Sequence, residues 1–352
     1  MQRGRTGRLH PWVARARRAV GRSVAELPTL PDEQPPLVLI ACSGGPDSLA
    51  LAAAAAHFAR RGTLRVGAAV IDHQMQPGSA QVTESTVHVL KDMGLDPVIS
   101  RRVTVDRAGH GPEMAARLAR YEALNDIARR TAADAVLLGH TRNDQAETVL
   151  LGLARGSGTR SLSGMSPQHT IDGVQYMRPF LNVTREETEE ICRAEGLDPW
   201  HDPSNADTTL MRSKVRHEVL PWLEDHLGPG VSNALARTAS VLDADADFLD
   251  EQAAQYFRRA QPAPAASSAG HLELDCGAVQ VAPPAMRRRM LAQACVAVGG
   301  ETPTFERLSA LEQFAMGYGA AGPLQMAGKV TVWRRRADKL CAKGRLEFHS
   351  TA

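Results

Sequence analysis

Apolar residues along the chain gather into short runs separated by longer segments of helical spacing. Leu37–Cys42 is an unbroken apolar run, and Leu64–Asp72 and Ala135–Gly139 are similar, as expected for strands buried on both faces of a parallel sheet. Pro97–Val103 reads as a further strand. Between these, Leu49–Arg61, Ala80–Met93 and Pro112–Thr131 carry helical patterning, the first of them rich in alanine. Strands that alternate with helices imply right-handed crossovers, and hence an α/β fold with a doubly wound parallel sheet. Further on, Arg185–Glu195 predicts a helix, and Trp222 to about Arg259 one or two long ones. Gln261–Gly270 is rich in Ala, Pro and Ser, the composition of a linker. Past it, short strands at Leu272–Leu274, Val330–Trp333 and Leu346–Phe348 accompany helical stretches at Pro284–Val298 and Phe305–Met316. The expected organisation is a basic N-terminal arm over 1–36, an α/β domain over 37–220, a helical connector over 221–260, the linker at 261–270 and a small α+β domain over 271–352.

Composition narrows the class. A chain of 352 residues, 43% of them hydrophobic, is long enough for two or three domains with good cores. No apolar run approaches the length that spans a bilayer. The N-terminal arginines precede no apolar core, so a secretory signal is not expected, and a cytoplasmic location with no membrane partner follows. Cys42, Cys192, Cys276, Cys295 and Cys341 are odd in number and far apart, unlike a disulfide framework or a Cys-x-x-Cys metal site. The net charge is only +2, so any affinity for nucleic acid must come from local patches. Arg287–Arg289 and Arg334–Arg336 are two such triplets, able to grip phosphates or simply to lie on a solvated surface.

The chemistry concentrates at the carboxyl ends of the predicted strands. After the first one comes Ser43-Gly44-Gly45-Pro46-Asp47-Ser48, then a helix. A strand, a glycine turn and a helix N-terminus present backbone N–H groups and a positive dipole end, an anion site of the kind that takes phosphate. Lacking a Gly-Lys-Ser/Thr, it is not a Walker-type loop. Asp47 beside phosphates would repel them unless a cation intervened, which suggests Mg²⁺. The plainer reading is a Gly-Pro turn whose Asp47 and Ser48 cap the helix. Asp72-His73 and Gly139-His140 end two other strands, so three motifs converge where doubly wound sheets bind ligands. Thr141 or Asn143 can cap the helix that follows, and Asp144 and Glu147 share its first face. These acids either complement the helix dipole or, with His140, face the crevice, where Asp144 would help hold a metal or the reacting group. Arg212 and Arg216 lie four apart on one helical face, and Pro221 should kink or end that helix.

Ser-Gly-Gly-x-Asp-Ser resembles the pyrophosphatase loop of the N-type ATP pyrophosphatases. The stretch Gly139-His140 through Asp144-Gln145-Ala146-Glu147-Thr148, followed by Arg155-Gly156-Ser157-Gly158, is similar to the second signature of the tRNA(Ile)-lysidine synthetases. Arg178-Pro179-Phe180, and Asp202 and Asn205 with Arg212 and Arg216, resemble further blocks of that family. The resemblance implies ATP binding by Ser43, Gly44, Gly45, Pro46, Asp47 and Ser48, with Mg²⁺ at Asp47 and Asp144. It implies catalytic roles near Asp47, His140 and Asp144. Contacts to substrate or tRNA would come from Arg155, Gly156, Ser157, Gly158, Asp202, Asn205, Arg212 and Arg216. The implied reaction joins L-lysine to the wobble cytidine of a tRNA(Ile) with a CAU anticodon, through an adenylated intermediate, with 271–352 as a tRNA-binding domain of a short family form. Three departures stand out: Thr141 where the family often has a second histidine, Ser213 where asparagine is common, and no arginine in Asp72-His73-Gln74-Met75-Gln76. The alternatives are a tRNA thiolase on the same ATP domain, which usually needs paired cysteines or an iron–sulfur cluster, and an RNA-binding protein that senses nucleotide without turnover.

Overall fold

The computed structural model describes residues 9–27, 34–74, 78–104, 111–156, 158–262, 270–319, 322–337 and 341–350. Ser157, most of the expected linker and the first arginines of the expected arm lie outside these residues. The chain divides into two compact units, one of residues 1–156 and 161–240, the other of 157–160 and 241–352.

The first unit begins with α1 (Pro11–Ser23), β1 (Leu37–Ala41), α2 (Pro46–Arg60), β2 (Arg65–Asp72), α3 (Ser79–Asp92), β3 (Val98–Arg102), α4 (Pro112–Thr131), β4 (Ala135–Leu138) and α5 (Arg142–Ala154). After α6 (Thr159–Leu162) come β5 (Gln168–Ile171), β6 (Val174–Met177) and α7 (Arg185–Glu195). The sheet runs β3-β2-β1-β4-β6-β5, parallel except for the antiparallel edge pair β5–β6. Strand order reverses at β1, between β2 and β4, so the carboxyl ends of β1 and β4 open the switch-point crevice of an α/β sheet.

Alternation along β1 explains the layers. Val38 and Ile40 join a core with α1, α2 and α7 on one face, while Leu39 joins Tyr121, Leu124 and Ile127 of α4 on the other. Helix α2 is buried all round because α1 and α7 cover the side that the sheet does not, and its alanines make that close approach possible. Pro11–Ser23, within the expected basic arm, is therefore a core helix. Its Val13, Ala16 and Val20 are buried, and Arg15 and Arg17 pair with Glu187 and Glu195 of α7.

Two features depart from the sequence reading. The β5–β6 hairpin was not expected, although its turn, Asp172-Gly173, has positive φ at both positions (49° and 80°), as a two-residue hairpin of the primed type needs. Pro221, expected to kink or end its helix, does not end it. Instead α8 (Met211–Lys214) passes through a π-helical turn at Val215–Val219 into α9 (Leu220–Leu227). Proline donates no hydrogen bond and crowds the carbonyl four residues back; the wider turn, in which Leu220 N–H donates to Val215, absorbs this.

The long helix α10 (Val231–Ala260) precedes β7 (His271–Asp275), α11 (Cys276–Val281), α12 (Pro284–Ala297), α13 (Phe305–Ala315), β8 (Leu324–Met326), β9 (Val330–Arg335) and β10 (Arg345–Ser350). These strands form an antiparallel sheet, β7-β10-β9-β8, whose Leu274, Val332, Leu346 and Phe348 pack on Met290 and Leu291 of α12.

One buried polar chain ties the unexpected hairpin to α4. Tyr176 donates to Asn125 Oδ1 (2.6 Å), and Asn125 donates to Asp172 in the hairpin turn (3.1 Å). Removing the hydroxyl leaves a buried acceptor unsatisfied, so Tyr176→Phe should lower the unfolding free energy by about 1–3 kcal/mol. Denaturant titration checks this, and an unchanged midpoint would mean that the chain adds nothing to stability.

Candidate functional site

The loop after β1 owes its shape to Ser48. The Ser48 hydroxyl donates to Gly45 O (3.0 Å) and accepts from Ser43 N–H (3.2 Å), closing residues 43–48 on themselves. Ser48 is thus a buried staple, while Ser43 stands exposed at the mouth. Gly44 has a φ of 82°, where a side chain would also collide with the Thr86 hydroxyl. Its carbonyl accepts from Trp200 N–H at 3.0 Å. Gly45 is the N-cap of α2 and Pro46 opens it, so the free N–H groups of the first turn face the crevice. Across from them, a Cβ at Gly139 would lie 3.1 Å from the main chain of Asp47 and Ser48, so any larger residue would have to push the loop back by a few tenths of an ångström.

The loop, His73, His140, Asp144, Asp202, Asn205 and Arg216 line one crevice of about 930 Å³. Asp144 serves two purposes. Its Oδ2 accepts from Thr141 N–H (2.7 Å) and hydroxyl (2.9 Å), completing a capping box on α5, while Oδ1 meets Arg185 (3.2 Å) and Arg216 (3.3 Å). Thr141, in the position where a histidine was a family expectation, is therefore a buried helix cap.

Glu147 is the hub, and the sequence reading did not count it among the site residues. Its side chain is 0% exposed, and it accepts from Arg212 Nε (2.9 Å) and Arg216 Nε (2.7 Å), with Arg185 at 3.8 Å. Arg185 also lies 3.7 Å from Asp47. Three carboxylates and three guanidinium groups thus interlock on α2, α5, α7 and the segment around the π turn. The residue types were visible in the sequence; pairings across 38 to 138 residues of chain were not.

Electrostatics push the two aspartates apart. Burial raises the Asp47 carboxyl to about 6; the Thr188 hydroxyl and Arg185 oppose the rise, and Asp144 adds to it. Burial also disfavours charge on Asp144, but Arg185, Arg212 and the Thr141 amide outweigh it and hold that carboxyl below the usual range. Burial, with Arg120 and Arg178, keeps His140 well below an ordinary imidazole, against the pull of Asp144.

Other expected residues fall elsewhere. Arg155 and Gly156 are exposed at the far end of α5, about 20 Å from its crevice end at 1.5 Å per residue. Gly158 is exposed as well, and Ser157 lies outside the described residues. Arg212 reaches the site through Glu147. In the second unit the basic triplets are largely engaged internally: Arg287 and Arg288 with Glu312, Arg289 with Asp250, Arg334 with Phe314 O and Arg335 with Glu347. Arg336 is exposed.

The sheet order, the glycine loop and the helix N-terminus at its switch point define an ATP-binding PP-loop protein, and the PP-loop domain family matches residues 18–223. The chain is 47% identical to the tRNA(Ile)-lysidine synthase of Streptomyces coelicolor over 91% of its length and 88% of that relative. With the tRNA(Ile)-lysidine synthase of Thermobifida fusca it shares 49% identity over 82% of its own length and 84% of the relative. It belongs to the tRNA(Ile)-lysidine synthase family. Among solved structures, the U34-tRNA thiolase of Methanococcus maripaludis shares the fold, with a TM-score of 0.52, 16% identity, and coverage of 66% of this chain and 80% of that one. No helix among the described residues is long and apolar enough to cross a membrane.

Two outcomes follow from these charges. Below about pH 4 the Asp47 carboxyl is protonated in folded and unfolded chains alike and affects neither. Between about 4 and 6 only the folded protein holds the proton, so stability falls as pH rises, and above 6 the full penalty applies. Asp47→Asn should therefore be more stable than the parent by about 1–3 kcal/mol at pH 7.5, the gain vanishing near pH 4. Thermal melts across that range decide it, and a variant less stable at pH 7.5 would refute it. Conversely, Glu147→Gln leaves Arg212 without its buried counter-charge and Arg185 and Arg216 with Asp144 to share, and should cost about 3 kcal/mol or more. A denaturation midpoint within about 1 kcal/mol of the parent's would show that solvent compensates them instead.

Proposed function

We propose that this chain converts the wobble cytidine of tRNA(Ile) bearing a CAU anticodon to lysidine, using ATP and L-lysine and releasing AMP and pyrophosphate. The observation that carries the reading is the convergence of an ATP loop, Asp47, His140 and Asp144 on one crevice in a member of this family. The 2-oxygen of cytosine is a poor leaving group and must first be activated. It attacks the α-phosphorus of ATP, forming an O–P bond as the bond to pyrophosphate breaks. The lysine ε-amine then attacks carbon 2, AMP departs with the oxygen, and the amine loses a proton. The N–H groups of the loop and of the first turn of α2 take the pyrophosphate portion of ATP, so catalysis of the first step is mainly positioning and charge neutralisation.

Mg²⁺ suits the residues present. Burial leaves Asp47 undercompensated by its neighbours, and hard carboxylate oxygens together with substrate phosphates are the donors this ion takes. Asp47 and Asp144 would hold it, and it would supply neutralisation of phosphate charge. Arg216 and Arg185 lie beside the same carboxylates and are placed to meet nucleotide or RNA phosphate when those pairs open. Asp202 and Asn205 border the same crevice, consistent with contact to the target base or its sugar. Arg155, Gly156 and Gly158, exposed beyond α5, would contact tRNA away from the reacting atoms. The unpaired anticodon loop makes the target base reachable, and a cytoplasmic location fits that substrate.

A thiolase is disfavoured by the thiols. Cys42 borders the crevice, yet burial pushes its thiol up, away from the thiolate that sulfur chemistry needs. The test is incorporation of radiolabelled lysine into unmodified tRNA(Ile) with ATP and Mg²⁺, beside Asp47→Ala. Transfer that requires ATP and falls by at least a hundredfold in the variant is expected. ATP cleavage with tRNA but no lysine transfer would sink the assignment of the nucleophile.

A further inference from the structure

We propose that Arg178 fixes His140 as an Nε2–H donor facing the crevice, so that His140 donates to the reacting phosphoryl group and does not take the lysine proton. Arg178 is a positioning residue in this account, acting through His140. The inference deepens the proposed reaction and rests on it for the identity of the acceptor.

Arg178, at the carboxyl end of β6, is only 6% exposed. Its guanidinium is held on several sides: Nη1 donates to Ser166 O at 2.6 Å and lies 3.1 Å from His169 Nδ1, while Nε donates to His140 Nδ1 at 3.2 Å. A guanidinium has donors only, so Nδ1 of His140 must present its lone pair. The single proton of the neutral ring is then on Nε2. A second proton would set N–H against N–H, beside the further positive charges of Arg120 and Arg212, with Asp144 acting on the ring in the other direction. The one lone pair of the neutral ring that could accept a proton is occupied by the Arg178 Nε–H.

Register brings His140 level with the loop that follows β1. Strands β1 and β4 pair with Ala41 beside Leu138, so His140 stands two residues past its strand as Ser43 stands two past the other. Between them, Gly139 abuts the main chain of Asp47 and Ser48. A fixed N–H at that place is matched to an oxygen whose negative charge grows as the α-phosphorus is attacked.

Long-range proton–nitrogen spectra of the ligand-free protein, labelled with ¹⁵N-histidine, read the tautomer directly, and His140→Gln identifies the ring. A protonated Nε2 with a bare Nδ1 at pH 7 is expected. In Arg178→Met the ring should show mixed tautomers or charge, which a merely structural role for Arg178 would not produce. In single-turnover assays of tRNA-dependent pyrophosphate release, His140→Gln keeps an N–H near Nε2 and should stay within about tenfold of the parent, whereas His140→Ala should fall about a hundredfold or more. A proton on Nδ1, an imidazolium at pH 7, or Gln as slow as Ala would overturn the proposal. Absence of lysidine from the parent enzyme, with the expected tautomer intact, would instead indict the reaction assigned above.

Discussion

Glu147 is the buried charge on which the crevice depends. A carboxylate with no exposed side-chain surface is tolerated only where cations and hydrogen bonds replace water, and Arg212 and Arg216 supply both. Those arginines come from the segment around the π turn, and Arg185 comes from the start of α7, so satisfying one side chain of α5 brings three separate elements together. Arg185 also borders Asp47 of the loop, and Arg185 and Arg216 border Asp144. The cluster is thus a scaffold in which three guanidinium groups are gathered beside the loop and held in balance by acids.

Geometry at the loop obeys a second constraint, close approach of main chains. Gly139 lets β4 meet the first turn of α2, and Gly44 takes a conformation and a space that a side chain would deny. Alanines do the same for α2 as a whole, letting it lie between the sheet and the two helices α1 and α7. Small residues here are not a weak core. They set the distances at which backbone N–H groups can surround an anion.

In the second unit, arginine serves packing and internal pairing more than display. Arg287 is buried against Glu312, and Arg334 caps the end of α13 through Phe314 O while lying 5.3 Å over the Phe314 ring. A run of three basic residues in sequence therefore says little about a free basic patch. The helix or strand that carries them distributes their side chains among different neighbours.

The apolar runs at Leu37–Cys42, Leu64–Asp72 and Ala135–Gly139 and the helical spacing between them were enough to read an alternating α/β order, because period and length are local properties. The loop Ser43–Ser48 was legible for the same reason: a strand, two glycines and a helix start make an anion site wherever they occur in that order. What the chain order could not reveal is which distant groups meet. Helix α1 became core only because α2 and α7 offered it an apolar face. The β5–β6 hairpin was local and readable from Asp172-Gly173, yet its place at the sheet edge depended on pairing with β4. The importance of Glu147 and the orientation of His140 are likewise tertiary facts. A charge or a tautomer is set by neighbours in space, and those neighbours, Arg178, Arg185, Arg212 and Arg216, stand tens of residues away along the chain.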